Sequence, residues 1–259
     1  MLKNLGFCDK SSGEGLIAQK LSVSFSGTAA LQGVSLEVAA GEAVALVGPS
    51  GAGKTTLLRV LATAQEATAG SVKLGGRDYA HLSGVELQKV RACIGMVHQD
   101  HALVPNLRVA QNVLSGRLGR HGFFGVLRRA VRPPKAELLE GHALLDRLGI
   151  AEKMFHRTDS LSGGMQQRVA IARALFQEPH VLLADEPVAS VDPARAVDLL
   201  RLLRAVAEER QLPLVVSLHD VQLARACFPR VVGMRAGAVV FDAPTADVDT
   251  AAFEELYAL

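Results

Sequence analysis

Gly48-Pro49-Ser50-Gly51-Ala52-Gly53-Lys54-Thr55 fits the pattern G-x-x-x-x-G-K-[ST] in full. That pattern has physical meaning only between a strand and a helix. Ala43–Val47 is a wholly apolar run before it, and Leu57, Val60 and Leu61 form an apolar stripe at helical spacing after it. Glycines let backbone N–H groups converge on phosphate oxygens, and the helix N-terminus adds partial positive charge. Gly48 to Thr56 is therefore the expected phosphate cradle. Lys54 is expected to reach the β- and γ-phosphates, and the Thr55 hydroxyl to bind a Mg²⁺ ion bridging them. The stretch specifies ATP or GTP and leaves the task open.

Two further apolar runs, Val181–Ala184 and Leu214–Leu218, are short and rich in Val and Leu, as buried parallel strands are. Ligands gather at the carboxyl ends of such strands, so Gly48, Asp185 and His219 are expected to converge. Asp100–Thr158 has helical spacing and little strand character. Ile17–Phe25 and Val34–Val38 suggest antiparallel strands, and Val231–Phe241 a hairpin turning at Ala236-Gly237.

The composition excludes some classes. Although 49% of the 259 residues are hydrophobic, charges interrupt every stretch before the roughly eighteen apolar residues that a membrane span needs. Met1–Gly15 has no apolar block and is read as a flexible leader, so the protein is expected to stay on the cytoplasmic side. Cys8, Cys93 and Cys227 form no CxxC pair, which argues against a zinc site. A net charge of +2 is too small for a basic nucleic-acid footprint, and no nucleic-acid partner is expected. A local basic stretch, Arg117, Arg120, Arg128, Arg129, Arg132 and Lys135, is either a solvated face or a contact for an acidic partner or lipid headgroups.

Leu161-Ser162-Gly163-Gly164-Met165-Gln166-Gln167 resembles the signature of the ATP-binding cassette (ABC) family, followed by a helix such as Gln167–Phe176. Ser162 and two glycines at a helix N-terminus present donors to an anion. The resemblance implies that each signature faces the phosphate loop of a second copy. Ser162, Gly163, Gly164 and Asp192 would then contact ATP across a homodimer interface. The apolar strand ending in Asp185-Glu186-Pro187 resembles the family's second nucleotide motif. Asp185 is expected to support Mg²⁺ and Glu186 to act as general base toward the attacking water. By the same resemblance His219 is the switch histidine near the γ-phosphate. Gln99 joins the sheet to the helical segment and approaches Mg²⁺ and the attacking water. Phe25 occupies the place of an aromatic residue under adenine.

The resemblance covers Ile17 to Tyr257. It implies an α/β P-loop NTPase fold of the ABC type, with a central mostly parallel sheet, an antiparallel β subdomain and an inserted α-helical subdomain. The core would be 16–99 and 159–259, and the helical subdomain 100–158 together with the signature at 161–167. Within the family the chain is most similar to phosphonate importers, through Asn112–Gly119, Ala184–Ser190, Val216–His219 and Gly233–Gly237. That implies two permease subunits, an extracytoplasmic binding protein and a peripheral place on the cytoplasmic face of the membrane. The cargo would be phosphonate, phosphate or phosphite. An importer of another small solute, or a soluble cassette ATPase acting on DNA or ribosomes, is the alternative. A phosphotransferase does not account for Leu161–Gln167 or His219.

Overall fold

The computed structural model describes residues 15–79, 82, 84–189 and 191–258. The leader before Gly15 and Ser190 of the expected cross-dimer loop lie outside them. In chain order the elements are β1 (Leu16–Phe25), β2 (Thr28–Val38), β3 (Ala43–Val47), α1 (Lys54–Leu61), β4 (Ala69–Leu74), β5 (Arg77–Asp78), α2 (Gly84–Arg91) and β6 (Ile94–Val97). A helical stretch follows, with α3 (Val109–Leu114), α4 (Phe123–Val131), α5 (Lys135–Arg147) and α6 (Gly163–Phe176). The chain closes with β7 (Val181–Asp185), α7 (Pro193–Arg210), β8 (Leu214–Ser217), α8 (Val221–Cys227), β9 (Arg230–Arg235), β10 (Ala238–Pro244) and α9 (Thr250–Tyr257).

Two sheets form. One is antiparallel, in the order β2-β1-β4-β5; the other runs β10-β9-β3-β8-β7-β6. In the larger sheet every pairing is parallel except that of β10 with β9. β3 and β7 are buried on both faces, which is why they read as unbroken apolar runs.

Their alternate residues point into different cores. Ala43, Ala45 and Val47 join Leu182, Ala184, Leu214 and Val216 on one face, packed against α3, α5, α6 and α7. Val44 and Leu46 join Val181, Leu183 and Val215 on the other, with Leu57, Leu58 and Leu61 of α1 and the inner face of the antiparallel sheet. The phosphate-loop helix is thus clamped between two sheets. Tyr79, 5% exposed, adds a hydrogen bond from its hydroxyl to the Leu61 carbonyl at 2.7 Å, satisfying one of the orphan acceptors at the end of α1.

The expected strands appear, most within a residue or a few of their predicted ends, but β2 begins at Thr28, six residues before the expected Val34; the hairpin turns at Ala236-Gly237 as read. Sequence reading did not foresee β4, β5 or the short α8 and α9. The signature helix starts four residues earlier than Gln167, at Gly163. The basic stretch divides. Arg117 pairs with Glu140 and Glu178, Arg120 with Glu178, and Arg129 with Glu137, so half of it is internal bracing of the helical segment.

Candidate functional site

The carboxyl ends of β3, β7 and β8 meet, as parallel-sheet topology requires of strands running the same way. From β3 the chain turns into the loop at Gly48, whose φ is +149°. A Cβ there would sit 2.0 Å from the Met234 carbonyl oxygen, so only glycine fits. The Lys54 side chain folds back along the loop and donates from Nζ to the carbonyls of Gly48 at 2.6 Å and Pro49 at 3.1 Å. Burial draws its ammonium below the ordinary lysine value, and the nearby Glu186 and Asp185 charges oppose that shift. A buried cation held by carbonyls at the mouth of an N–H-lined loop is suited to an incoming polyphosphate.

Across from it, Asp185 is buried at the end of β7. Its Oδ1 accepts from the hydroxyls of Ser217 at 2.6 Å and Thr55 at 3.2 Å. Ser217 also accepts from the backbone N–H of Glu186 at 3.0 Å. Glu186 itself is in the left-handed region at φ +47°, a strained place for a non-glycine residue. That turn swings its carboxylate away from the strand, where Oε1 meets His219 Nε2 at 2.5 Å.

A cavity of about 390 Å³ is lined by Ser50, Gly51, Ala52, Gly53, Lys54, Thr55 and Thr56 with Gln99, Glu186 and His219. A second, of about 500 Å³, is bordered by Thr55, Gln99, Asp185 and His98. Thr55, Gln99 and Asp185 thus offer a hydroxyl, an amide and a carboxylate at one place. Such hard oxygen donors fit a Mg²⁺ ion, and Thr55 and Asp185 are already within hydrogen-bond reach of each other.

The structure therefore brings together Gly48 through Thr56, Gln99, Asp185, Glu186 and His219. It does not bring the signature to them. Ser162, Gly163, Gly164 and Asp192 line neither cavity. Ser162 is exposed at the N-cap of α6, and its side chain makes no capping bond to the helix it precedes. Phe25 is also outside the lining set; the residue is 47% exposed at the end of β1, so it is not a core phenylalanine.

Two site residues escaped sequence reading. Ser217 is hidden in an apolar strand, where a lone serine before Leu218-His219 was the available signal. Tyr257, near the chain's end, gave none. Its hydroxyl accepts from the Gly48 N–H at 3.0 Å and donates to the His219 carbonyl at 3.2 Å.

Residues 31–189 match the family model described as ABC transporter. This chain belongs to the ABC transporter family. The cassette is 46% identical over 231 residues to a phosphonates import ATP-binding protein of Rhodopseudomonas palustris, covering 89% of this chain and 82% of that protein. It is 47% identical over 228 residues to the corresponding protein of Wolinella succinogenes, covering 88% and 82%. Among solved structures it resembles a dimeric bacterial ABC transporter cassette, with TM-score 0.79 and 29% identity over 89% of this chain and 98% of that one. It also resembles a post-hydrolysis dimer of an ATP-binding cassette bound to ADP and Pi, with TM-score 0.75 and 31% identity over 89% and 98%. The cassette is thus a nucleotide-binding ATPase of the ABC fold, as the resemblance in its signature implied. Among the described residues no helix is long and apolar enough to cross a membrane.

Proposed function

We propose that this chain is the ATP-hydrolysing subunit of an importer for phosphonates or related phosphate-like anions. It works as a homodimer beneath two permease subunits, on the cytoplasmic face of the membrane, with an extracytoplasmic protein delivering cargo. The observation that carries the hydrolytic reading is the Glu186–His219 contact beside the Lys54 loop. Identities of 46% and 47% to phosphonates import proteins support the cargo.

In this reading the loop amides and Lys54 bind the β- and γ-phosphates, exchanging the carbonyl partners of Lys54 for phosphate oxygens. Phe25 stacks on the base. Thr55, Asp185 and Gln99 hold Mg²⁺, which when bound offsets charge on the phosphates. Glu186 accepts the proton of the attacking water, and His219 holds that carboxylate in place. Ser162, Gly163, Gly164 and Asp192 of a second copy complete each site. The exposed, uncapped Ser162 supports this, because its α6 amide donors are left for an anion from outside the chain. The helical stretch 100–158, hinged at Gln99, acts as the subdomain that relays closure to the permeases.

Uptake of labelled phosphonate, phosphate and phosphite by cells with and without the intact subunit tests the cargo. Loss of phosphonate uptake alone is the expected result. Uptake of all three unaffected by the deletion, with the chain instead recovered on nucleic acid or ribosomes, would overturn the transport reading.

A further inference from the structure

We propose that Tyr257 is a positioning residue for ATP hydrolysis, its hydroxyl standing in for one rung of the β3–β8 ladder and fixing the main chain of His219 against the start of the phosphate loop. The two strands pair in register from Ala43 with Leu214 to Leu46 with Ser217. Their last direct rung runs from the Leu218 N–H to the Leu46 carbonyl at 2.9 Å. The next donor on the β3 side is the Gly48 N–H, and here the strands part to open the site. Tyr257 enters that gap, accepting from Gly48 at 3.0 Å and donating to the His219 carbonyl at 3.2 Å. A phenol hydroxyl can do both at once.

One side of the bridge is rigid. Gly48 is confined by the Met234 carbonyl, as its missing Cβ shows. The other side is not: His219 stands two residues beyond the end of β8, is exposed, and carries the imidazole that meets Glu186. The bridge therefore transmits the fixed position of the loop to the residue whose own position matters most for the Glu186 carboxylate.

Tyr257 is itself held well. It ends α9, which buries Phe253 and Leu256, and Phe253 packs edge-on against Phe241 with ring centroids 5.6 Å apart. Asp249 caps the helix start by accepting from the Ala252 N–H at 2.7 Å, and Arg235 donates to the Glu255 carbonyl near its end at 2.9 Å. Burial, reinforced by the Asp220 charge and opposed by the Gly48 N–H, raises the phenol above its ordinary value, so it stays a donor at neutral pH.

This inference rests on the ATPase reading. The test is Tyr257→Phe, which removes only the hydroxyl, in the purified full chain and in a His219→Ala background. With the hydroxyl gone, kcat for phosphate release is expected to fall about fivefold, the size of one lost hydrogen bond, with KM for ATP changed less than about twofold. In the His219→Ala chain the same substitution is expected to change nothing further. An unchanged kcat, or an equal fold loss in both backgrounds, overturns the proposal. Wild-type chain that releases no phosphate overturns the ATPase reading along with it, whereas an active wild type with an indifferent Tyr257→Phe overturns this inference alone.

Discussion

The Nε2 atom of His219 lies 2.5 Å from Oε1 of Glu186, joining the ends of two neighbouring parallel strands on the floor of the phosphate cavity. The contact exists because Glu186 leaves β7 in a left-handed turn whose N–H is held by Ser217. The same carboxylate lines the cavity beside Lys54.

Neutralising that carboxylate tests its role. Glu186→Gln keeps the shape and the nucleotide-binding loop, so ATP is expected to remain bound while hydrolysis falls by about 10²–10⁴-fold, the usual contribution of a general base. Phosphate release measured beside ATP retention checks this. Near-normal turnover would remove Glu186 from the chemistry.

The proposed role of Lys54 is earlier, in binding. Lys54→Ala deletes the buried cation, and affinity for labelled ATP is expected to drop by about tenfold or more, since charge-assisted phosphate contacts are among the strong ones. Equal affinities in an equilibrium titration would contradict the assignment.

Ser217 is fully buried and ties Asp185 to the Glu186 backbone. Ser217→Ala leaves that N–H without its acceptor, which is expected to lower stability by about 1–3 kcal/mol and to relax the strained Glu186 turn. Denaturant unfolding gives the first effect, and a kcat lowered more than KM is raised gives the second. A variant with wild-type stability and turnover would show the bridge to be incidental.

The composite site can be tested by mixing two inactive chains. In a dimer of Lys54→Ala with Ser162→Arg, one site combines both damaged elements and the other combines both intact ones. Activity is therefore expected to reappear on mixing, at up to about half the wild-type value per mixed dimer, if sites form in trans. A mixture as inactive as its parents would argue for sites within one chain.

Tyr79 makes a pH prediction. Its burial, reinforced by the Asp78 charge, raises the phenol far above its ordinary value near 10. Above that value the unfolded chain loses this proton while the folded chain keeps it. Stability contributed by Tyr79 is thus present below about pH 10 and is lost as pH rises further. Tyr79→Phe is expected to cost about 1 kcal/mol near neutrality, from the bond to Leu61, and to lose less stability than wild type above pH 10. Urea unfolding of both chains from pH 7 to 11 reads the difference. Parallel curves would exclude the mechanism.

Chemistry that depends on neighbouring residues was legible from the chain alone. The Gly48–Thr55 loop needs glycines and a following helix stripe, and both are local. β3, β7 and β8 announce themselves because strands buried on both faces are apolar up to their last residue, and the signature could be recognised because its donors are consecutive. Even the convergence of Gly48, Asp185 and His219 follows from strand direction. What the chain could not disclose is which nonlocal groups complete the site. Ser217 gains its role from its register partner Asp185 on β7, and Tyr257 from a gap that opens where β3 and β8 separate; both partners are far away in sequence, and no local pattern encodes either. The left-handed turn at Glu186 likewise runs against the preference of its own side chain and persists through Ser217. Tertiary packing decided these, because a hydroxyl becomes a bridge only once the fold has set two backbones one hydroxyl apart.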